Sequence, residues 1–455
     1  MGKLFGSSGV RGLVNVELTP TLACNVGLAV ATYVKAKQAV VACDTRVSGS
    51  MIQNALVSSL MSCGVTVYLL GIVPTPVLAY TTRALGAEVG FMITASHNPP
   101  QYNGIKIFNP QTLSYVDADQ EAVERIIAEK RHTLADWQGL GKTVNYNAQS
   151  MYLELVKSVV KLHKKWHIVV DPGCGAAHSL APQMLKLLGC KVTALNAQPD
   201  GYFPARASEP SAEALKDLSK VVCALGADMG IAFDGDADRV AFVDETGRFV
   251  NFDRSLAAYG AYALEQTGGS GGEVVVTNVE ASMCVETMAS RFGGRVVRTR
   301  VGDIYISEAI KREGAVFGGE PCGAWVHPLQ HYCPDGPLSA GVFLKALELK
   351  EKTVSEFVGE VPEYITLREN IKCSNDTKNI TVARVAETIK NKFNGYVDFS
   401  TIDGVRLALK EGWLLIRASG TEPLIRITVE GETENIAKEL MHKATILIRK
   451  QNEES

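Results

Sequence analysis

Residues 39–95 read AVVACDTRVSGSMIQNALVSSLMSCGVTVYLLGIVPTPVLAYTTRALGAEVGFMITA. Short apolar runs alternate here with longer amphipathic segments, which is the pattern of strands that alternate with helices. The predicted elements are a strand at 39–45, a helix at 51–63, a strand at 65–71, a helix at 77–85 and a strand at 89–95. This order is typical of an α/β unit with a mainly parallel sheet.

The same architecture recurs twice along the chain and then gives way to a different one. The second unit has predicted strands at 167–173, 191–196 and 229–235 with helices at 176–188 and 212–225, and the third has predicted strands at 273–279, 295–300 and 315–320. Past about residue 365, the segments VRLALKEG, WLLIRASG and LIRITVEG predict antiparallel strands, followed by a helix over 434–449 and a frayed tail, QNEES. We therefore predict an α/β protein with domains at 1–150, 151–252 and 253–365 and a smaller C-terminal α+β domain at 366–455.

Composition excludes several classes of protein. The chain of 455 residues is 46% hydrophobic and carries a net charge of -3, whereas a nucleic-acid-binding surface is strongly basic. No apolar run approaches the roughly 20 residues that span a bilayer, and the N-terminus lacks a signal-peptide pattern. The ten cysteines form no C-x-x-C pair. We therefore expect a cytoplasmic protein with reduced thiols, no nucleic-acid partner and no membrane segment.

The first chemical motif is TASHNPPQYNGIKIF at 94–108, which follows a predicted strand. Ser, Asn and Pro also form simple turns, so a turn without further function is the plain alternative. However, a hydroxyl (Ser96), an imidazole (His97) and an amine (Lys106) occur here within eleven residues. This density after an apolar strand favours a functional site, because ligands of open α/β sheets bind at the carboxyl ends of strands.

The second motif is DGDADR at 234–239, which follows the apolar segment MGIAF. Three carboxylates at alternate positions repel one another unless a cation lies among them. Oxygen ligands suit a hard ion such as Mg²⁺. A calcium-binding EF-hand loop is excluded because Arg239 stands where that loop needs glycine, and a solvated acidic turn is the remaining alternative.

Two further loops are weaker signals. GGEPCGAWVHP at 318–328 combines glycines with Glu320, an acceptor suited to sugar hydroxyls, although most glycine-rich loops are only turns. RASGTEPLIR at 417–426 brackets small polar residues with two arginines, which are components of a phosphate site. A hairpin turn with edge arginines explains that segment equally well. Together the four motifs contain the parts that phosphoryl transfer requires.

These motifs, in this order, resemble those of the α-D-phosphohexomutase superfamily, and the resemblance covers nearly the whole chain. It implies four domains around a central cleft and an isomerase of carbohydrate metabolism that is a phosphoprotein. A phosphoserine would donate its phosphoryl group to a hexose phosphate and recover one from the bisphosphorylated sugar. The expected cofactors are Mg²⁺ and a sugar 1,6-bisphosphate, and the expected partner is a small phosphosugar. The chain would act as a monomer or homodimer.

The resemblance also assigns candidate residues. Ser96 is the expected phosphate carrier and, with Asp234, Asp236 and Asp238, a metal ligand. Lys106, Arg11 and His97 are the candidates for proton handling. The expected substrate-binding residues are Ser8 in the opening motif FGSSGVRG, Arg239, Gly302, Asp303, Glu320, Cys322, Arg417, Ser419, Gly420, Thr421 and Arg426.

One segment departs from the family pattern. Its sugar loop commonly reads Glu-x-Ser-x-His, whereas this chain has Cys322 and Ala324 in place of the serine and histidine, and His327 lies three residues beyond Ala324. The opening motif and the VGD at 301–303 resemble the phosphoglucosamine mutase branch of the superfamily more than the phosphomannomutase/phosphoglucomutase branch. This resemblance implies glucosamine phosphate as substrate, with phosphomannomutase and phosphoglucomutase activities as alternatives. A sugar-phosphate-binding protein without turnover and an aspartyl-phosphate phosphatase are the alternatives from other classes.

Overall fold

The computed structural model describes residues 4–6, 9–268, 271–393, 395–420 and 422–453. The strands are β1 (Val10–Leu13), β2 (Gln38–Cys43), β3 (Thr66–Ile72), β4 (Val89–Ile93), β5 (Tyr102–Phe108), β6 (Thr143–Asn145), β7 (His167–Asp171), β8 (Lys191–Ala194), β9 (Met229–Phe233), β10 (Val240–Val243), β11 (Val274–Asn278), β12 (Arg295–Thr299), β13 (Phe317–Gly319), β14 (Trp325–Val326), β15 (Ile365–Lys372), β16 (Asp398–Ser400), β17 (Val405–Leu409), β18 (Gly412–Ala418) and β19 (Leu424–Gly431).

The helices follow the same chain order. They are α1 (Pro20–Val34), α2 (Gly49–Ser62), α3 (Thr75–Ala84), α4 (Asp117–Glu129), α5 (Gln149–Val159), α6 (Leu180–Leu187), α7 (Lys216–Leu225), α8 (Phe252–Gln266), α9 (Cys284–Ser290), α10 (Asp303–Glu313), α11 (Gly336–Leu349), α12 (Val354–Gly359), α13 (Lys378–Thr388) and α14 (Glu434–Glu453), with a short 3-10 helix at Ile389–Asn391. No helix in the described part of the chain is long and apolar enough to cross a membrane.

The chain forms two compact units. Unit 1 contains the residues before 253 together with 302–358, and unit 2 contains 253–301 together with the residues from 359 onward. The stretch 253–365, which the sequence predicts as one domain, contributes to both units.

Unit 1 contains two mixed sheets. The first has the strand order β1-β5-β4-β2-β3-β6, in which β2, β3, β4 and β6 are parallel and β1 and β5 are antiparallel to their neighbours. The second has the order β10-β9-β7-β8, with only β10 antiparallel. Strands β4 and β9 are buried along their whole length, as expected for central strands covered on both faces. A short antiparallel pair, β13–β14, carries the GGEPCGAW segment.

Unit 2 contains a parallel pair, β11–β12, and a five-stranded antiparallel sheet in the order β15-β19-β18-β17-β16. One face of this sheet packs against α13 and α14 in a core that includes Val385, Ile416, Ile427 and Ala444. The predicted α/β class is confirmed, with sheets that are mostly parallel before the C-terminal domain and antiparallel within it.

Three local predictions differ from the structure. The helices predicted to begin at 176 and 212 begin at Leu180 and Lys216, because the polar and small residues before them form turns. The prediction of a frayed tail was wrong for residues 451–453, because α14 continues through Glu453 and Gln451 is buried. The second half of the 94–108 motif is a strand, β5, which the sequence analysis did not predict.

Candidate active site

Ser96 lies in a loop just beyond the carboxyl end of β4, with a left-handed backbone (φ 51°) that a non-glycine residue rarely adopts. Its Oγ donates a hydrogen bond to Asp234 Oδ2 at 2.7 Å, and its backbone N–H donates to Thr94 Oγ1 at 2.8 Å. Ser96 is 1% exposed. The structure therefore brings the predicted phosphate carrier against the predicted metal loop, in a strained conformation that its neighbours maintain.

Arg46 holds the Ser96 loop in place, although the sequence analysis did not select it. Its Nη atoms donate to four main-chain carbonyls, those of Ser96 (2.9 Å), Asn98 (2.6 Å), Pro99 (2.6 Å) and Tyr102 (2.9 Å). Its Nε donates to Asp44 Oδ2 at 3.0 Å, and the side chains of both residues are fully buried. Because the guanidinium is rigid and planar, these contacts define one position for the loop.

The metal loop connects β9 and β10, as predicted, and gathers its three carboxylates. Asp234, Asp236 and Asp238 are buried, and each offers an oxygen within 4.8 Å of the others. Oδ1 of Asp236 and Oδ1 of Asp238 are buried without a hydrogen-bond partner in the described part of the chain. A buried carboxylate oxygen without a partner is costly, and a divalent cation would satisfy both oxygens. The donor set therefore fits a metal site for a hard ion.

Two features position the metal loop, one against the Ser96 loop and one against the start of α3. A side chain at Gly235 would place its Cβ 2.5 Å from the Ser96 carbonyl oxygen, so only glycine allows this approach. Thr75 donates from Oγ1 to Asp236 Oδ2 at 2.5 Å, and its N–H donates to the Asp236 carbonyl oxygen at 2.9 Å. Thr75, at the start of α3, is a second contact that the sequence analysis missed.

Lys106 lies on β5 with its side chain directed at the same carboxylates. Its Nζ donates to Asp236 Oδ2 at 2.7 Å and to Asp238 Oδ2 at 2.5 Å. Burial alone would lower the pKa of Lys106, but the two carboxylates raise it above its usual value. Burial raises the pKa of Asp234 well above its usual range, with the negative charges of Asp238 and Asp236 adding to it. Asp236 differs, because Lys106 outweighs the effect of burial and lowers the pKa of that carboxyl.

His97, Arg239 and Arg11 contribute further polar groups to the site. His97 Nδ1 lies 3.3 Å from Ser96 Oγ, and burial, followed by the nearby arginines and Lys106, lowers the pKa of His97 to about 3. Arg239 Nη1 donates to Glu209 Oε1 at 2.8 Å, and its N–H donates to Asp234 Oδ1 at 3.2 Å. Arg11 Nη1 donates to Asn98 Oδ1 at 3.1 Å. Glu209, on a loop that the sequence analysis did not select, also lies 3.8 Å from His97 Nδ1.

The sugar-loop candidates lie together in the same unit. Gly302 donates from its N–H to Glu320 Oε1 at 2.8 Å, with a φ of 135° that favours glycine. Asp303 begins α10 and is buried. Arg239 forms an isolated β-bridge with Ala324. Burial raises the pKa of the Cys322 thiol, and the positive charge of Arg239 opposes that rise. The sugar loop thus contacts the metal loop through the bridge between Ala324 and Arg239, and it contacts the VGD segment through Glu320.

His327 lies in a buried and partly aromatic environment beyond the sugar loop. Its ring is 6% exposed, lies 5.6 Å from the ring of Phe317, and places Nε2 2.9 Å from Ser339 Oγ. Burial also lowers the pKa of His327 to about 4. We therefore interpret His327 as a buried structural residue.

Unit 2 carries the predicted phosphate cradle. Arg417 on β18 is paired in register with Arg426 on β19. Arg417 donates from Nε to Asp403 Oδ1 at 3.0 Å and also forms an ion pair with Glu280. Ser419 is buried, and its carbonyl oxygen accepts from Lys378 Nζ at 2.5 Å. Lys378, on α13, thereby fixes the turn and was not predicted.

Gly420 lies in this turn, with open space around the position of a Cβ. Two of the predicted site residues, Ser8 and Thr421, lie outside the described residues.

Comparison with known proteins identifies the family of this chain. Four family models match in sequence: the alpha/beta/alpha domains I, II and III of phosphoglucomutase/phosphomannomutase at residues 2–133, 150–247 and 251–364, and its C-terminal domain at 369–446. The chain belongs to the phosphoglucomutase/phosphomannomutase family. It is therefore an isomerase of the α-D-phosphohexomutase superfamily, as the motifs predicted.

Similar proteins extend over the full length of this phosphohexomutase. Relatives in Pyrococcus horikoshii and Methanothermobacter thermautotrophicus bear the name "Probable phosphoglucosamine mutase". The first is 40% identical, with 99% of this chain and 98% of the relative covered, and the second is 43% identical, with 97% of each covered. A crystal structure of a phosphoglucomutase/phosphomannomutase family protein from Burkholderia thailandensis is 26% identical, with a TM-score of 0.88 over 99% of this chain and 97% of that chain.

Arg46 gives a first prediction for the phosphohexomutase. Arg46→Lys keeps a positive charge but cannot bond to Asp44 and four carbonyls at once, so the Ser96 loop should lose its fixed position. Because misplacement of a reacting group by about 1 Å can cost about 100-fold, we expect kcat to fall about 10- to 100-fold. Steady-state kinetics checks this, with Arg125→Lys on the exposed side of α4 as the matched control. Equal kcat for wild type and Arg46→Lys would contradict the anchoring role.

Proposed function

We propose that this phosphohexomutase interconverts glucosamine 6-phosphate and glucosamine 1-phosphate through phospho-Ser96 and a bisphosphorylated sugar. One observation carries the proposal: the Ser96 hydroxyl lies 2.7 Å from a carboxylate of a buried three-aspartate loop, within a loop that Arg46 anchors. A transferable phosphate needs a hydroxyl carrier, a charge-neutralising cation and exact positioning. These residues supply the first and third, and they form a suitable site for the second.

Glucosamine phosphate is the preferred substrate because the full-length relatives are named phosphoglucosamine mutases. The second candidate is a phosphomannomutase or phosphoglucomutase activity. It is favoured by the name of the Burkholderia thailandensis protein, and the altered sugar loop, with Cys322 and Ala324, leaves room for a different sugar preference.

The proposed reaction has two phosphoryl transfers with Ser96 as donor and then acceptor. In the first, the bond between Ser96 Oγ and phosphorus breaks while a sugar hydroxyl oxygen bonds to that phosphorus. The sugar hydroxyl loses its proton, and the departing Ser96 oxygen takes one up. In the second, the bond between the other phosphorus of the bisphosphate and its sugar oxygen breaks while Ser96 Oγ bonds to that phosphorus. The Ser96 hydroxyl loses its proton, and the departing sugar oxygen takes one up. Phosphate and protons therefore balance over one cycle, and the sugar 1,6-bisphosphate is both intermediate and activator.

Asp234, Asp236 and Asp238, with the phosphate on Ser96, would hold Mg²⁺. A bound magnesium ion supplies positive charge that offsets the charge developing on the transferred phosphoryl group. The chain adds its own positive charges, because Lys106 donates to Asp236 and Asp238 and the Arg239 N–H donates to Asp234. This balance limits repulsion between the carboxylates and an incoming phosphate.

Lys106, Arg11 and His97 are the proposed residues for proton transfer to and from the sugar oxygen. Lys106 and Arg11 reach the site from the antiparallel strands β5 and β1, where Arg11 pairs in register with Gly104. The hydrogen bonds to Asp236 and Asp238 orient the Lys106 amine, and the bond to Asn98 orients Arg11. His97, with its pKa near 3, enters this set as a neutral ring.

Each unit has its own set of proposed substrate-binding residues. Glu320 and Cys322 with Arg239, Gly302 and Asp303 form the proposed sugar-contacting set of unit 1. Arg417, Ser419, Gly420, Thr421 and Arg426 form the proposed cradle for the phosphate that is not reacting, and Ser8 is proposed to contact substrate.

A coupled assay tests the proposed function directly. Purified protein with Mg²⁺ and a trace of glucose 1,6-bisphosphate is given glucosamine, glucose and mannose 6-phosphates in turn, and both the 1-phosphate isomers and free phosphate are measured. We expect isomer formation, with the highest kcat/KM for glucosamine 6-phosphate and little free phosphate. A higher kcat/KM for mannose or glucose phosphate would favour the second candidate. Free phosphate without isomers would indicate a phosphatase, and binding without either product would indicate a non-catalytic binding protein.

A further inference from the structure

The face of the C-terminal sheet opposite α13 and α14 is only partly covered. On this face, Trp413 and Leu415 of β18 pack against Val279, Met283 and Val301 of the same unit. Farther across the sheet, β15 alternates between half-buried and exposed residues, and its exposed set includes Arg368, Asn370 and Lys372. The open part of the face therefore carries polar side chains of β15, β19 and β18.

Strand register places these polar residues side by side. Asn370 is paired with Arg426, which is paired with Arg417, so the three form one row across β15, β19 and β18. Arg368 is paired with Thr428, which is paired with Leu415, and forms the next row. Residues two apart on a strand share a face, so the rows are adjacent. Arg368 and Asn370 are distant in sequence from the RASGTEPLIR motif, which explains why the motif did not include them.

The two rows line a single cavity of about 160 Å³. Its lining residues are Glu280, Arg368, Asn370, Leu415, Arg417, Arg426, Ile427 and Thr428. At about 30 Å³ per water molecule in the liquid, this is room for several waters or for one phosphate group. Three guanidinium groups face one carboxylate in this cavity, so an anion is the ligand that its charge favours.

The three arginines differ in the partners that they already have. Arg417 pairs with Asp403 and with Glu280, and Arg426 Nη2 donates to Glu422 Oε2 at 2.9 Å. Among the described residues, the Arg368 side chain has no hydrogen bond or ion pair, although it lies close enough to Asp253 to lower the pKa of that carboxyl. The Asn370 side chain likewise has no hydrogen bond among the described residues. The cavity-lining side chains of β15, Arg368 and Asn370, can therefore donate hydrogen bonds to a ligand without losing a bond to another described residue.

We propose that Arg368 and Asn370 extend the phosphate cradle, and that with Arg417 and Arg426 they bind the non-reacting phosphate dianion of the sugar. The inference rests on the proposed function, because it assigns further binding residues to the same substrate. Arg368 would supply a bidentate guanidinium contact and Asn370 an amide donor, while Glu280 and Asp403 keep Arg417 extended toward the cavity. Because both residues act on binding, their loss should raise KM more than it lowers kcat.

The experiment uses the full-length enzyme with three single variants. Arg368→Gln removes the charge, and Asn370→Asp adds a negative charge without a change in size. Lys372→Gln is the matched control, because Lys372 lies on the same face of β15 and loses the same charge but does not line the cavity. All three positions are exposed, so folding should be preserved, and thermal unfolding checks this.

Two measurements are made on each variant. One is KM and kcat for glucosamine 6-phosphate, and the other is the affinity for inorganic phosphate in metal-free buffer, measured by calorimetry. Since a hydrogen bond to a charged group contributes about 10- to 100-fold in affinity, Arg368→Gln and Asn370→Asp should raise KM and weaken phosphate binding by about this factor. Lys372→Gln should change both by less than about 3-fold.

The possible results separate failure of the proposed phosphate subsite, formed by Arg368 and Asn370, from failure of the proposed mutase activity. If wild type is active and Arg368→Gln matches it in KM and in phosphate affinity, the subsite is refuted and the mutase proposal stands. If wild type interconverts no hexose phosphate, the mutase proposal fails. The calorimetric comparison then decides the anion site alone: weaker phosphate binding in Arg368→Gln than in Lys372→Gln supports it, and equal binding refutes it.

Discussion

Ser96→Ala should reduce kcat for glucosamine 6-phosphate by about 10⁴-fold or more. The proposed cycle routes both phosphoryl transfers through Ser96 Oγ, and removal of a covalent catalytic group costs several orders of magnitude even when binding is intact. The change also removes the hydrogen bond to Asp234 Oδ2, but Arg46 still binds the carbonyl of residue 96, so the loop should keep its position. Steady-state kinetics and intact-mass spectrometry measure activity and bound phosphate together.

The matched control for this variant is Ser158→Ala on α5, where the residue is exposed and its hydroxyl donates to the Leu155 carbonyl oxygen. It should retain wild-type kcat and phosphate content, whereas Ser96→Ala should lose both. A Ser96→Ala enzyme that stays active, with phosphate found on another residue, would eliminate Ser96 as the carrier.

Removal of the metal should have the second-largest effect. Wild type in excess chelator should lose at least about 100-fold in kcat/KM and recover when Mg²⁺ is restored, because a cation at the transferred phosphoryl group contributes several kcal/mol. Asp236→Asn keeps the size of the side chain but removes a charge from the three-carboxylate loop, so it should require much more Mg²⁺ for half-maximal activity. Magnesium titrations of activity measure this shift.

Asp217→Asn is the control for the metal prediction, because Asp217 lies on the protein surface in an exposed ion pair with Lys220. An exposed pair of this kind contributes little to stability, so this variant should have the wild-type magnesium requirement. Full wild-type activity in chelator, or an unchanged magnesium requirement in Asp236→Asn, would contradict a metal site at the loop.

The sequence predicted the central strands and the loops that follow them because both have strong local signals. β4 and β9 are continuous apolar runs, and polar residues begin where each run ends. Since ligands of open α/β sheets bind at the carboxyl ends of strands, each of the two loops could be assigned to a site from the sequence alone. The two loops follow strands of different sheets, so their meeting at one site was implied by the family resemblance and not by strand order. The departure at Cys322 and Ala324 was also visible from the motif.

Arg46, Thr75 and Glu209 could not be predicted in the same way. Each acts through contacts with residues distant in sequence: Arg46 with Ser96, Thr75 with Asp236, and Glu209 with Arg239. One signal was available for Arg46, because DTR at 44–46 follows β2, the neighbour of β4 in the sheet. The assignment of Arg368 and Asn370 to the cavity required the register of β15 with β19, and no local sequence pattern predicts that register.

The most direct test of the account follows the phosphate itself in a single turnover. Enzyme with radiolabelled phosphate on Ser96 is mixed rapidly with excess unlabelled glucosamine 6-phosphate, and the reaction is quenched at intervals. We predict that the label leaves Ser96 at least as fast as kcat and is recovered on glucosamine phosphates. Label that remains on Ser96 while unlabelled glucosamine 1-phosphate accumulates would contradict the relay through this serine.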